Sequence, residues 1–283
     1  MATFTNQATL TYNGNIINSN IATGELIEVL SATKTAVVET YSQGQEVTYV
    51  INIVNSGTIA YTGLAITDDL GAYVFGVDVL VPLSYVAGSV RYYVNGVLQP
   101  APIVSAGPPL TINGISVPAG GVATIIYVAT ANQFASPEIE GSVINTATIG
   151  GGGITEITVT ETINAETGAK LTITKCISPS SVTENGRLTY TFTIQNIGNT
   201  PAQVADAIVV TDTFNPILTD LVVTFNGAAW ATPANYNYNP VTGVFTTVAG
   251  QITVPAATFT QDPATGIWIT EPGVSILTVT GTV

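Results

Sequence analysis

The chain writes one strand pattern twice, in the same order and at closely similar spacing. Gly44-Gln45-Glu46-Val47-Thr48-Tyr49-Val50-Ile51-Asn52-Ile53-Val54-Asn55-Ser56-Gly57 is matched from Gly186 to Gly198, which reads Gly-Arg-Leu-Thr-Tyr-Thr-Phe-Thr-Ile-Gln-Asn-Ile-Gly. Both stretches alternate apolar with polar residues, both carry Tyr inside the run, and both close on Asn-x-Gly, a turn signal. Upstream, Thr33-Lys34 matches Thr174-Lys175; downstream, Ala65-Ile66-Thr67-Asp68 matches Val209-Val210-Thr211-Asp212. Lysine to closing glycine is 23 steps in each copy (57 − 34 and 198 − 175). A period of two places successive side chains on opposite faces, so these segments can bury one face only as strands. No segment offers a helical stripe. Short strands rich in Val, Ile, Thr and Tyr, bounded by Gly, Pro or Asn, predict an all-β chain of tandem immunoglobulin-like β-sandwiches.

The two copies differ at their ends. Copy one runs through Val122-Ala123-Thr124-Ile125-Ile126-Tyr127-Val128-Ala129-Thr130-Ala131 and adds a closing strand, Val143-Ile144-Asn145-Thr146-Ala147-Thr148-Ile149. Copy two runs through Val274 to Val283 without one. The matching pattern stands at the other end, in Phe4-Thr5-Asn6-Gln7-Ala8-Thr9-Leu10, and shares Asn-x-Ala-Thr. From Asn6 to Lys34 is 28 steps and from Asn145 to Lys175 is 30 (34 − 6 and 175 − 145). The expected organisation is a donor segment over 1–30, a first sandwich over 31–163, a linker over 164–169 and a second sandwich over 170–283. A sandwich short of a strand leaves unpaired backbone groups and an open apolar groove, which strand addition from another copy can fill. The expected donor face is Phe4, Asn6, Ala8, Leu10 and Tyr12; the expected acceptor edge is the last strand, through Ile276, Leu277, Val279 and Val283. Donor and acceptor at opposite ends make a heterologous contact that builds filaments. The competing arrangement folds residues 1–30 back onto the second domain of the same chain.

Composition narrows the function. Charged residues are only 8 % of 283, with 18 Asp+Glu against 5 Lys+Arg and a net charge of −13. An acidic surface argues against nucleic acid and against anionic membranes, and no apolar run is long enough for a spanning helix. There is no histidine, the commonest general base, and the single cysteine, Cys176, forbids an internal disulfide. The amino terminus shows no secretory signal pattern, so the expectation is export as a processed form, or release by lysis or sporulation.

The three lysines are Lys34, Lys170 and Lys175, and two of them open a repeat. Each copy also has an Asp, Asp68 or Asp212, and a closing-strand Asn: Asn145 in the first, Asn6 for the second if another copy donates it. Lys, Asp and Asn are the residues an isopeptide bond needs. A neutral buried amine attacks the carboxamide carbon, and the Asp relays protons while ammonia departs. Asp69 stands as an alternative to Asp68, and Lys170 as an alternative to Lys175. Asp after Thr also shapes turns, which is the plainer role for these residues.

Gly44-x-x-Val47-Thr48-Tyr49 with Asn55-x-Gly57, Thr67-Asp68-x-Leu70 and Asn145-x-Ala147, repeated as Leu188-Thr189-Tyr190, Asn196-x-Gly198 and Thr211-Asp212-x-Phe214, carry a resemblance. The chain is similar to the conserved-repeat domains of unknown function (family eleven) of bacterial cell-surface proteins and to isopeptide-forming fimbrial domains. The resemblance implies Lys, Asp and Asn on first, middle and last strands, here Lys34, Asp68, Asn145 and Lys175, Asp212, Asn6. The second set departs from the family in being split between chain ends, so its bond would join subunits.

Other constellations point elsewhere less well. Asp68-Asp69 could form a carboxylate dyad, but neighbours on a strand face opposite sides. No spaced acidic loop of the EF-hand kind occurs, and Gly150 to Gly153 lacks the Lys-Ser/Thr of a phosphate loop. Trp230 to Asn239, with Tyr85, Tyr92 and Tyr93, reads as sandwich-capping aromatics or as an adhesive face, and Cys176 as a small buried filler. The expected function is a structural subunit of an extracellular fibre on a bacterial cell or spore surface. It partners itself, needs no cofactor or metal and performs at most its own cross-linking. A surface adhesin for host protein or glycan is the alternative.

Overall fold

The computed structural model describes residues 2–26 and 28–283; Met1 and Ile27, within the expected donor segment, lie outside the described residues. Contacts divide the chain into two compact units, residues 1–39, 44–132 and 143–163 in the first and 40–43, 133–142 and 164–283 in the second. The chain is all-β, with one 3-10 turn among the described residues, at Val204–Asp206, and both units are sandwiches of the immunoglobulin-like kind, as the alternation predicts.

The first unit begins with a hairpin of β1 (Ala2–Asn6), β2 (Thr9–Tyr12), β3 (Asn15–Asn18) and β4 (Ala22–Leu26). β1 pairs with β4 and β2 with β3, all antiparallel. Asn13 and Gly14 both take positive φ, 48° and 80°, the combination that a two-residue hairpin turn matched to strand twist requires. The sandwich follows, built from β5 (Leu30–Ala36), β6 (Glu46–Asn55), β7 (Tyr61–Asp68), β8 (Arg91–Val94), β9 (Leu110–Val117), β10 (Val122–Ala131), β11 (Ser142–Gly151) and β12 (Ile157–Ala165). One sheet runs β8-β10-β6-β5 and the other β9-β7-β11-β12. Inward rows such as Val47, Tyr49, Ile51 and Ile53 on β6 are fully buried, and the residues between them, Thr48, Val50 and Asn52, are half-buried on the other face.

The second unit comprises β13 (Leu171–Ser178), β14 (Arg187–Asn196), β15 (Thr211–Thr213), β16 (Thr219–Phe225), β17 (Ala228–Trp230), β18 (Tyr236–Tyr238), β19 (Val244–Thr247) and β20 (Gly273–Thr282). One sheet runs β13-β14-β20-β16-β17; the facing sheet is only β15-β19-β18. Phe214, Phe245, Leu218, Leu277 and Val279 form its buried core.

Two expectations are corrected here. The last strand is not an edge: β20 bonds to β14 on one side and β16 on the other, which buries Leu277 and Val279 and leaves Ile276 outward-facing and Val283 half-buried. Among the described residues β13, β17, β15 and β18 are end strands, and β15, which pairs with β19 alone, is the one that carries Asp212. Cys176 is exposed rather than a buried filler, because every residue of β13 is exposed. The aromatic stretch is sandwich packing: Trp230 stacks on Phe225 at 4.9 Å and Tyr236 lies 5.3 Å from Phe245.

Candidate cross-linking sites

In the first unit the repeat's chemical residues converge inside the sandwich. β5 carries Lys34, β7 ends on Asp68 and β11 brings Asn145. Ala147 is the register partner of Asp68, and Asn145, two residues away on the same face, therefore points to the same interior. Lys34 Nζ donates to Asp68 Oδ2 at 2.8 Å with both side chains 0 % exposed. The Tyr127 hydroxyl, on β10, donates to the same oxygen at 2.6 Å and accepts from Asn145 Nδ2 at 3.0 Å. Its ring stacks on Tyr49 at 5.3 Å, and Lys34 Nζ lies 5.2 Å from the Tyr49 ring centre. Asp68 Oδ1 accepts the Leu70 N–H at 3.0 Å. Leu70 sits in the left-handed region at φ 55°, a conformation costing a side-chain-bearing residue about 1–2 kcal/mol; the turn it closes holds the carboxylate in place. Asn145 Oδ1 is buried and has no hydrogen-bond partner among the described residues, a costly state for a carbonyl.

Burial pushes the Lys34 amine below the ordinary lysine value, against the opposing pull of Asp68 and the lesser pulls of Asp69 and Glu161. Burial, then the Asp68 charge, pushes the Tyr127 phenol well up, so it stays a proton donor. Asp69, the alternative acid, is occupied elsewhere: its Oδ1 accepts the Gly71 and Thr146 N–H groups at 2.8 and 2.9 Å.

The second unit repeats half of this arrangement. Lys175 on β13 donates to Asp212 on β15, but the side chains are 39 % and 18 % exposed. Tyr127 has no counterpart. It is the register partner of Tyr49, and the partner of the equivalent Tyr190 is Val279. Phe214 stacks on Tyr190 instead at 4.9 Å, and Lys175 Nζ lies 4.3, 5.5 and 5.6 Å from the rings of Tyr190, Phe192 and Phe214. Among the described residues no strand covers β15 where β11 covers β7. Lys170, the alternative amine, bonds Ser42 Oγ and Glu166 Oε2 at 2.7 and 3.0 Å, away from Asp212.

Asn6 stands in the hairpin with Phe4, Ala8, Leu10 and Tyr12, all exposed. The buried row of β11 is Val143, Asn145, Ala147 and Ile149; each stands 139 positions after Phe4, Asn6, Ala8 and Leu10 (145 − 6). The structure thus brings Lys34, Asp68 and Asn145 together and Lys175 with Asp212, and leaves Asn6 without a partner of that set.

Tyr127 is the residue that sequence reasoning missed. Its one signal is a hydroxyl-bearing residue on the inward row of an otherwise apolar strand. Tyr127→Phe keeps the ring stack and removes the proton link between Asn145 and Asp68. For the Lys34–Asn145 bond proposed below, intact mass is expected to show a sharply reduced fraction of chains that have lost ammonia, with folding unchanged by circular dichroism. In that slowed variant ammonia loss is expected to quicken as pH rises, because the depressed Lys34 amine becomes neutral below the usual lysine range.

No protein-family model matches the chain, and no curated protein matches it in sequence. Among solved structures it is similar to the major pilin subunit of Bacillus cereus in a variant form (12 % identity, 96 % of this chain and 73 % of that one, TM-score 0.40). It is also similar to the pilus backbone of Streptococcus pneumoniae (11 %, 86 % and 55 %, 0.35). A third is a collagen-binding domain from a Staphylococcus aureus adhesin (13 %, 50 % and 99 %, 0.31). At these scores the likeness is one of general architecture.

Proposed function

We propose that the chain is a structural subunit of a bacterial surface fibre that assembles head to tail. In this reading the hairpin end of one copy completes the second unit of the next. One observation carries the reading: the unit with an unpaired β15 edge and a half-exposed Lys175–Asp212 pair lacks the row that the hairpin carries. That row is Phe4, Asn6, Ala8 and Leu10, unburied. Matching the first unit sets Ala8 opposite Asp212 and Asn6 beside Lys175.

Each completed site then forms a Lys–Asn isopeptide bond, within the chain at Lys34–Asn145 and between copies at Lys175–Asn6. The neutral lysine nitrogen bonds to the asparagine Cγ, the Cγ–NH2 bond breaks, and the amine's surplus proton leaves with that nitrogen as ammonia through the Asp carboxyl. Asp68 and Asp212 carry that proton. No cofactor or metal enters the step.

Electron microscopy of the purified protein is expected to show fibres, and denaturing gels after boiling a ladder with one ammonia lost per bond. Deleting residues 1–12 is expected to leave monomers only. A full-length chain that stays monomeric at all concentrations would sink the assembly reading and favour a surface adhesin.

A further inference from the structure

The gap that a donor must fill is two strands wide. In the first unit, β11 and β12 follow β7, which carries Asp68, in one sheet, while β5, which carries Lys34, is the end strand of the other. β12 reaches β5, where Glu161 Oε1 accepts the Ala36 N–H at 3.1 Å. In the second unit neither counterpart exists among the described residues. One margin of the gap is the β15 edge; the other is the inward row of β13, which bears Leu171, Ile173, Lys175 and Ile177. Leu171, Ile173 and Ile177 are 39 %, 52 % and 43 % exposed, whereas Leu30, Ala32, Lys34 and Ala36 on β5 are half-buried or buried. A single strand would satisfy β15 and leave this apolar row in water, against the usual avoidance of contiguous exposed apolar surface.

The hairpin is already a two-stranded piece of matching chemistry. Cross-strand partners share a face, so Phe4, Asn6, Leu10, Tyr12, Ile17 and Ala22 lie on one side with Asn15, and Thr3, Thr5, Thr9, Thr11, Asn18 and Thr23 lie on the other with Ile16 and Glu25. The Phe4 ring lies over Gly24, where any Cβ would come within 2.4 Å of it. Ser19 Oγ accepts the Ala8 N–H at 2.9 Å, absorbing the extra residue of the second arm. All of these side chains are solvent-exposed apart from Gly24, which is half-buried.

We infer that the donated element is the whole β1–β4 hairpin, received preformed by the second unit of another copy, its first arm on β15 and its second arm over the apolar row of β13. The inference rests on the head-to-tail reading and adds to it the number of strands donated.

The test uses full-length protein with Cys176→Ser, Thr9→Cys and Asn18→Cys. Thr9 and Asn18 are register partners on the threonine face, with side-chain oxygens 3.2 Å apart. Protein oxidised in dilute solution, its two arms tied by a disulfide, is expected to polymerise as fully as its reduced form. Monomeric oxidised protein beside polymerising reduced protein would overturn the hairpin donor. Failure of both forms and of the unsubstituted chain would overturn head-to-tail assembly itself. Ile173→Asp supplies a second reading, since Ile173 is exposed in the free unit and the substitution spares its fold. Assembly is expected to fall at least tenfold, and unchanged assembly would show that β13 receives no second arm.

Discussion

Asp68→Ala is expected to cost about 3–5 kcal/mol of stability in the first unit, the range for removing one member of a buried ion pair. The reason is local. Lys34 and Asp68 are fully buried and bonded to each other, and among the described residues no other carboxylate bonds the amine. The same substitution removes the proposed proton carrier, so intact mass is expected to show no ammonia lost at the first site. Asn145→Ala separates the two effects: it also prevents the bond but keeps the ion pair, and its thermal midpoint is expected to lie between the two. The deficit has a definite pH dependence. Lys34 sits below the ordinary lysine value of 10.5 when folded, so the unfolded chain binds more protons through that window. Stability of the unreacted protein therefore rises as pH climbs towards 10.5. Calorimetry of both variants between neutral and alkaline pH checks this. A loss in Asp68→Ala no greater than in Asn145→Ala, at every pH, contradicts the buried-pair role.

Asn6→Ala is expected to abolish the boiling-resistant ladder while leaving fibres visible before boiling. In the proposed assembly Asn6 contributes only the carboxamide of the bond between copies, while Phe4, Ala8 and Leu10 still supply the strand and its apolar row. Lys175→Ala should give the same gel. Its larger effect on fibres comes from leaving Asp212 unpaired under the donor, which weakens docking as well as chemistry. A ladder that survives boiling in Asn6→Ala would assign the cross-link to other residues.

The repeat made the sandwich architecture and the lysine and aspartate positions legible. Period-two alternation is a local property, and the recurrence of a lysine and then an aspartate in the same order, 34 steps apart in the first copy (68 − 34) and 37 in the second (212 − 175), singles out Lys34 with Asp68 and Lys175 with Asp212 from the rest of a lysine-poor chain. What escaped was decided by pairing between distant segments. β20 reads as the final strand, yet hydrogen bonds to β14 and β16 make it a central one, and the end strand that carries Asp212 is the three-residue β15. Cys176 alternates like a residue inside a sheet, but no second layer covers β13. Asp68 and Asp69 are equivalent in composition, and only the register with β11 turns Asp68 inward and gives Asp69 the backbone of Thr146. Tyr127 becomes chemical only because Asn145 and Asp68 arrive on either side of its hydroxyl.

Head-to-tail exchange between copies is tested most directly by mixing isotopically heavy and light protein as unfolded monomers and letting them assemble together. The fibres are then digested and the cross-linked peptides weighed. Peptides joining Lys175 to Asn6 are expected as heavy–heavy, light–light and heavy–light species, the mixed ones making up about half at equal input. Peptides that join the same two residues but only within one isotope would show the hairpin closing on its own chain, and would contradict assembly by donation.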